Sequence, residues 1–197
     1  MLPPAPLAAR PRPYPATILA ALSCVLLLGD SWAGSPRAPA GSPRWVAAAV
    51  DVTLHALVAG VAGCGALLLI PPAARPRWRW VAGVAAAGVA VDADHFLAAG
   101  SLSLDAATSL PSRPWGHAVS VWAGVVAGVA AGGHPSAARS VGLGWGTNLL
   151  RDGLRRGLWV PPLGATPPLP LWGYVGCVCA LCCGVAGWAA SARRRGA

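Results

Sequence analysis

An all-α, multi-pass transmembrane helical bundle of five or six spans is the fold class this sequence predicts, and three observations predict it. Hydrophobic residues make up 55% of the 197 and charged residues 11%, with a mean hydropathy of +0.57, a balance shifted from that of soluble domains towards membrane proteins. The apolar residues gather into stretches of about 20, the length that crosses a hydrocarbon core. Between them lie short connectors rich in Pro, Gly and Arg, where helices cannot continue.

The net charge is +9 and the pI near 10.6. All fifteen basic residues are Arg and all six acidic ones are Asp. The arginines are spread between apolar segments instead of forming one basic face, which excludes nucleic acid as the partner and fits charges that flank spans in contact with membrane lipids.

Residues 1–15 are Pro- and Arg-rich and are expected to be disordered. The segment 16–34 is the first predicted span. Its apolar core has signal-peptide length and Ser31-Trp32-Ala33 could pass for a cleavage site, but Asp30 suits a retained bundle helix better. A Pro/Gly linker leads to 45–70, which carries Asp51 and His55 at i, i+4 and therefore on one helix face; Pro71-Pro72 ends it. Segment 80–100 is next, then a polar excursion with Asp105, Pro111, Arg113 and Pro114, and then 115–133, with His117 at its start. His134-Pro135 breaks that run. Segment 138–153 reads either as a short span or as a half-buried interfacial helix, because Asn148, Arg151 and Asp152 crowd its end. After a Pro-rich loop, 169–190 is the last span, closed by a basic tail at 191–197. Most tryptophans flank the spans, as interfacial anchors do.

The stretch from Val91 to His117 stands out, since it sets Asp92, Asp94, His95 and His117 beside Ala-, Val- and Gly-rich helix. One Asp at the centre of a lipid-facing helix costs about 2.5–3.5 kcal/mol, so these side chains must face partners inside the bundle or near its surface. The polar set from four segments is Asp51, His55, Asp92, Asp94, His95, His117, Asn148 and Asp152. Imidazole and carboxylate from facing helices are how bundle metal sites are built, and this donor set suits a divalent Zn, Mn or Fe ion. On a continuous helix Asp92 and His95 lie within about 60° of one another, whereas Asp94 points away by roughly 160–200°. Three alternatives accommodate Asp94: the helix unwinds there, the site holds two metals, or Asp94 supports the ligands from behind.

VDADHFLAAGSLSLDAATSLPSRP followed by a His, and RDGLRRGLWVPPLGATPPLPLWGYV, resemble the vertebrate transmembrane protein 267 family. More distantly, a helix His, a D-x-D-H, an Arg-x-x-x-His and a final H-x-x-x-D are similar to bacterial predicted membrane-bound metal-dependent hydrolases. That resemblance implies metal ligands at His55, Asp92, His95, His117 and Asp152, with Asp94 orienting or deprotonating a water and Arg113 binding an anionic substrate, which a membrane-embedded site suggests is lipid-like. Asn148 stands where the pattern has its last His. The competing readings are interhelical hydrogen bonding that fixes packing in a non-catalytic or partner-binding protein, and an ion or metal pathway. In the second helix Asp51 and His55 also have the simpler option of pairing with each other. The C-x-x-C at Cys179 and Cys182 lies in an apolar run, where burial opposes thiolate formation, and reads as packing.

Overall fold

The computed structural model describes residues 43–76 and 78–195. The predicted first span at 16–34, the 1–15 segment and the very end of the tail lie outside the described residues. Helix α1 spans Arg44–Leu69. Helix α2, Arg79–Ala90, tightens into a 3₁₀ turn at Val91–Ala93 and resumes as α3, Asp94–Ala99. A short α4 at Leu104–Thr108 and a 3₁₀ turn at Trp115–His117 precede α5, Val119–Ala131. Helix α6 covers Pro135–Arg156; a two-residue hairpin, β1 Trp159–Val160 against β2 Gly164–Ala165, leads to α7, Leu171–Arg195. Among the described residues every regular element apart from that hairpin is helical.

Three of these stretches are long and apolar enough to cross a membrane: Arg44–Leu69, Arg79–Ala99 and Leu171–Ala192. On α1 the buried residues His55, Val58, Ala59, Ala62 and Ala66 recur at spacings of three and four, one stripe of the helix. Leu57 and Leu68 stand out on the other side, as lipid-facing residues do, and Trp45 is exposed at the helix start. Its end follows from sequence: Pro71 and Pro72 have no amide hydrogen to continue the ladder.

Two segments differ from expectation. The expected span 115–133 contributes only thirteen helical residues, about 20 Å of rise against about 30 Å of hydrocarbon. Trp115–His117 is diverted into the 3₁₀ turn, and Gly132-Gly133, the latter at φ +82°, closes the other end. The segment expected at 138–153 is longer, and it is central. Helix α6 packs against α1, α2, α5 and α7, and twelve of its 22 residues are buried. Asn148, Arg151 and Asp152, which lower its hydropathy, are buried within the bundle.

Glycine makes that centre possible. A β-carbon on Gly144 would collide with the Val84 carbonyl and the Gly88 amide, and one on Gly88 would meet Ala59 and the Gly144 carbonyl. Helices α1, α2 and α6 therefore cross in backbone contact, with a core of Val58, Ala62, Val84, Leu143 and Val178 around the crossing. One turn beyond it lie Asp92, in the 3₁₀ turn after α2, and Asn148 on α6.

A candidate metal centre at one end of the bundle

The Gly88–Gly144 crossing fixes the first contact of the site. Asn148 Nδ2 donates to the Gly88 carbonyl at 2.9 Å and to Asp92 Oδ1 at 3.1 Å. The residue that stands in a ligand position of the hydrolase-like pattern thus clamps Asp92. In the 3₁₀ turn that follows, side chains three apart eclipse, which aligns Asp92 with His95.

His117 comes in from the opposite side. Its turn is held by Trp145, whose indole N–H donates to the Gly116 carbonyl at 2.7 Å, and by packing of Trp115 on Trp159, ring centroids 5.2 Å apart. The His117 ring is buried and has carboxylates at both nitrogens: Asp94 Oδ2 at 3.3 Å from Nδ1, and Asp92 Oδ1 at 3.5 Å and Asp152 Oδ2 at 3.7 Å from Nε2. His95 packs edge-on against it, centroids 4.8 Å apart, and places its own Nδ1 3.0 Å from Asp94 Oδ1. Asp94 therefore faces into the site, contrary to its direction on a continuous helix, and engages both imidazoles through Nδ1. That leaves Nε2 of each ring as the remaining donor.

Asp92, His95 and His117 each offer a ligand atom, and these atoms lie within 4.8 Å of one another. The spacing and the donor chemistry suit one divalent cation after small side-chain shifts. Asp152 lies beside the group, one turn along α6 from Asn148, and accepts from Arg156 at i+4. Electrostatically the cluster demands a positive charge. His117 lies outside the apolar spans; burial lowers its pKa, but hydrogen bonds to Asp92 and Asp94 and the charge of Asp152 outweigh this and raise it to about 9. A cation at Nε2 competes with that proton.

His55 is not brought into this group. Its Nε2 lies 3.0 Å from Arg151 Nη1 and 3.8 Å from Asp51 Oδ2. Arg151, fully buried, donates to Asp51 Oδ1 at 2.7 Å, and Arg155 donates to the same oxygen at 2.9 Å. Asp51 and His55 thus belong to an ion-pair network between α1 and α6. The arginines in it carry no sequence signature, because their partner lies about 100 residues away.

Arg113 lies at the mouth. Its guanidinium donates to the Arg156 and Gly157 carbonyls, both at 2.8 Å, and so fastens the loop to the end of α6. With Arg156, Thr108, Ser112 and His95 it lines a cleft of about 400 Å³. Burial and the adjacent Arg156 both lower the Arg113 pKa, while Asp152 opposes them. Leu97, Leu102 and Trp115 are exposed around this end.

The apolar spans and the inward-facing polar cluster define a multi-pass integral membrane protein. The chain is similar to Transmembrane protein 267 of Bos taurus, 42% identical over 93 residues, and to that of Xenopus laevis, 37% identical over 93 residues. The Danio rerio relative is 34% identical over 105 residues. The Bos taurus alignment covers 43% of this chain and 43% of the relative, so the chain spans less than half the length of the curated relatives it matches. No family model matches, and no solved structure does.

Proposed function

We propose that this protein is a metal-dependent hydrolase acting on a lipid-like anionic substrate. The observation that carries the reading is the convergence of ligand atoms from Asp92, His95 and His117 within 4.8 Å, with His95 also lining a cleft that holds Arg113 and Arg156. Asp92, His95 and His117 hold the cation, Zn, Mn or Fe, with Asp152 in reach as a fourth ligand. When bound, the ion supplies Lewis acidity and lowers the pKa of a water. Asp94 contacts Nδ1 of both rings and so would leave Nε2 of each available to a metal, as carboxylates behind metal-binding histidines commonly do; orienting or deprotonating a water is its alternative role. Arg113 and Arg156 place two positive charges where a phosphate or carboxylate of the substrate binds. The exposed Leu97, Leu102 and Trp115 keep this end against the lipid headgroups.

A second reading has its own support. Asp92 is paired with Asn148 and Asp152 with Arg156, so the cluster also works as packing glue in a non-catalytic protein. Elemental analysis of protein purified without chelators separates the two. Bound Zn, Mn or Fe that is lost in Asp92→Asn supports the hydrolase; metal-free protein that gains none on dialysis against each ion sinks it.

A further inference from the structure

Helices α5, α6 and α7 do not close on one another along their whole length. Between them runs an apolar slot of about 460 Å³, walled by Trp122 and Val126 of α5, Gly146 and Leu149 of α6, and Leu181 and Val185 of α7. At its far end stands Arg139. Thirteen residues of α6 separate Arg139 from Asp152, about 20 Å along the helix, so this end lies on the opposite side of the bundle from the polar cluster. Arg139 is half-buried, its guanidinium 5.7 Å from the centroid of the Trp188 ring. Its Nε is buried with no hydrogen-bond partner, and no acidic side chain pairs with it among the described residues.

A positive charge at the mouth of an apolar slot between membrane helices fits one kind of molecule. We propose that the slot binds a single anionic phospholipid, one acyl chain lying along Trp122, Leu149 and Leu181 and the phosphate accepting hydrogen bonds from Arg139. Charge complementarity singles out this occupant. The lipid phosphate pairs with the half-buried Arg139 guanidinium, which has no acidic partner among the described residues, and the chain fills a trough in which that arginine is the only charged lining residue among those described. Glycine shapes the trough: a β-carbon on Gly184 would enter open space, so the groove is wide at that point. The site is separate from the cleft at Arg113 and does not depend on the hydrolase reading.

The test is lipid retention by the full chain. Protein purified in mild detergent is incubated with vesicles of phosphatidylglycerol or of phosphatidylcholine, re-isolated, and its bound lipid measured by mass spectrometry. Retention of phosphatidylglycerol over phosphatidylcholine is expected. Arg139→Gln should lower it about tenfold, as loss of a charged hydrogen bond does. Gly184→Leu, which fills the slot without touching Arg139, should lower it as well. Arg79→Gln, at the start of α2 on the same side and away from the slot, should leave it unchanged. Equal retention of both lipids, or an equal fall with Arg79→Gln, overturns the proposal. So does cross-linking of a Gly184→Cys variant to residues 16–34, which makes the chain's own first apolar segment the occupant.

Discussion

The carboxylate of Asp94 occupies the space that a β-carbon on Gly116 would take. Nothing larger than hydrogen at 116 permits the contact between Asp94 and His117, because Val91 closes the remaining side. Glycine at this position is thus a condition for the three-residue cluster.

Gly116→Ala should therefore displace Asp94 or push the Trp115–His117 turn away from α2. The expected cost is that of overpacking, about 1–3 kcal/mol, read as a lower midpoint in thermal unfolding in detergent. Any metal bound by the wild type should fall with it. An alanine variant of unchanged midpoint and unchanged metal content means that the Gly116–Asp94 contact is dispensable.

The ligand set predicts a graded series. Asp92→Asn and His117→Ala should abolish metal binding while leaving membrane insertion intact, since the helix crossing at Gly88 and Gly144 lies a turn away. Asn148→His should tighten binding by adding an imidazole beside Asp92. Isothermal titration with Zn and Mn reports all three. No gain from Asn148→His, together with no metal in the wild type, leaves Asp92 and Asn148 as packing partners.

The helical class and the proximity of Asp92, His95 and His117 are legible locally, whereas His55, grouped with them in the sequence, lies against Asp51 and Arg151. Apolar stretches of membrane length and a D-x-D-H before a His are each visible without a partner. The direction of Asp94 depends on a three-residue change of helical pitch at Val91–Ala93, one of the three alternatives that the sequence leaves open. Asn148 looked like a missing ligand, and in the structure it holds Asp92 in place. Helix α6 is marginal in sequence for the reason that makes it central: its Asn148, Arg151 and Asp152 lower its hydropathy and contact Gly88 and Asp92, Asp51, and His117 respectively. Arg156 could have been found from its i, i+4 spacing to Asp152. Arg151 could not, as its acidic partner is on another helix.

Topology provides a prediction independent of any ligand. Helix α7 runs without interruption from Leu171 to Arg195, about 37 Å, so the loop at 161–170 and the C-terminal arginines should lie on opposite faces of the membrane. Single cysteines placed at Thr166 and at Arg194, in a background without the native ones, should react with an impermeant maleimide from opposite sides. Labelling of both from the same side contradicts a crossing by α7.

The last prediction concerns the Asp51–Arg151 pair, which joins α1 to α6. Arg151 is fully buried, and removing one partner of a buried ion pair costs more than the pair contributes, because the remaining charge stays desolvated. Asp51→Ala should thus destabilise by about 3 kcal/mol, the lower end of such losses, since Asp51 itself is partly exposed. Removing both charges should cost less than removing one: Asp51→Leu with Arg151→Met replaces the pair by apolar groups of similar length. Arg155, more than a third exposed, loses its Asp51 contact in either case with little effect. Unfolding in mixed micelles of the wild type, the single variant and the double variant measures this directly. Recovery of stability in the double variant identifies the network as a packing device between α1 and α6; a double variant as weak as Asp51→Ala shows that the Arg151 charge is needed in its own right.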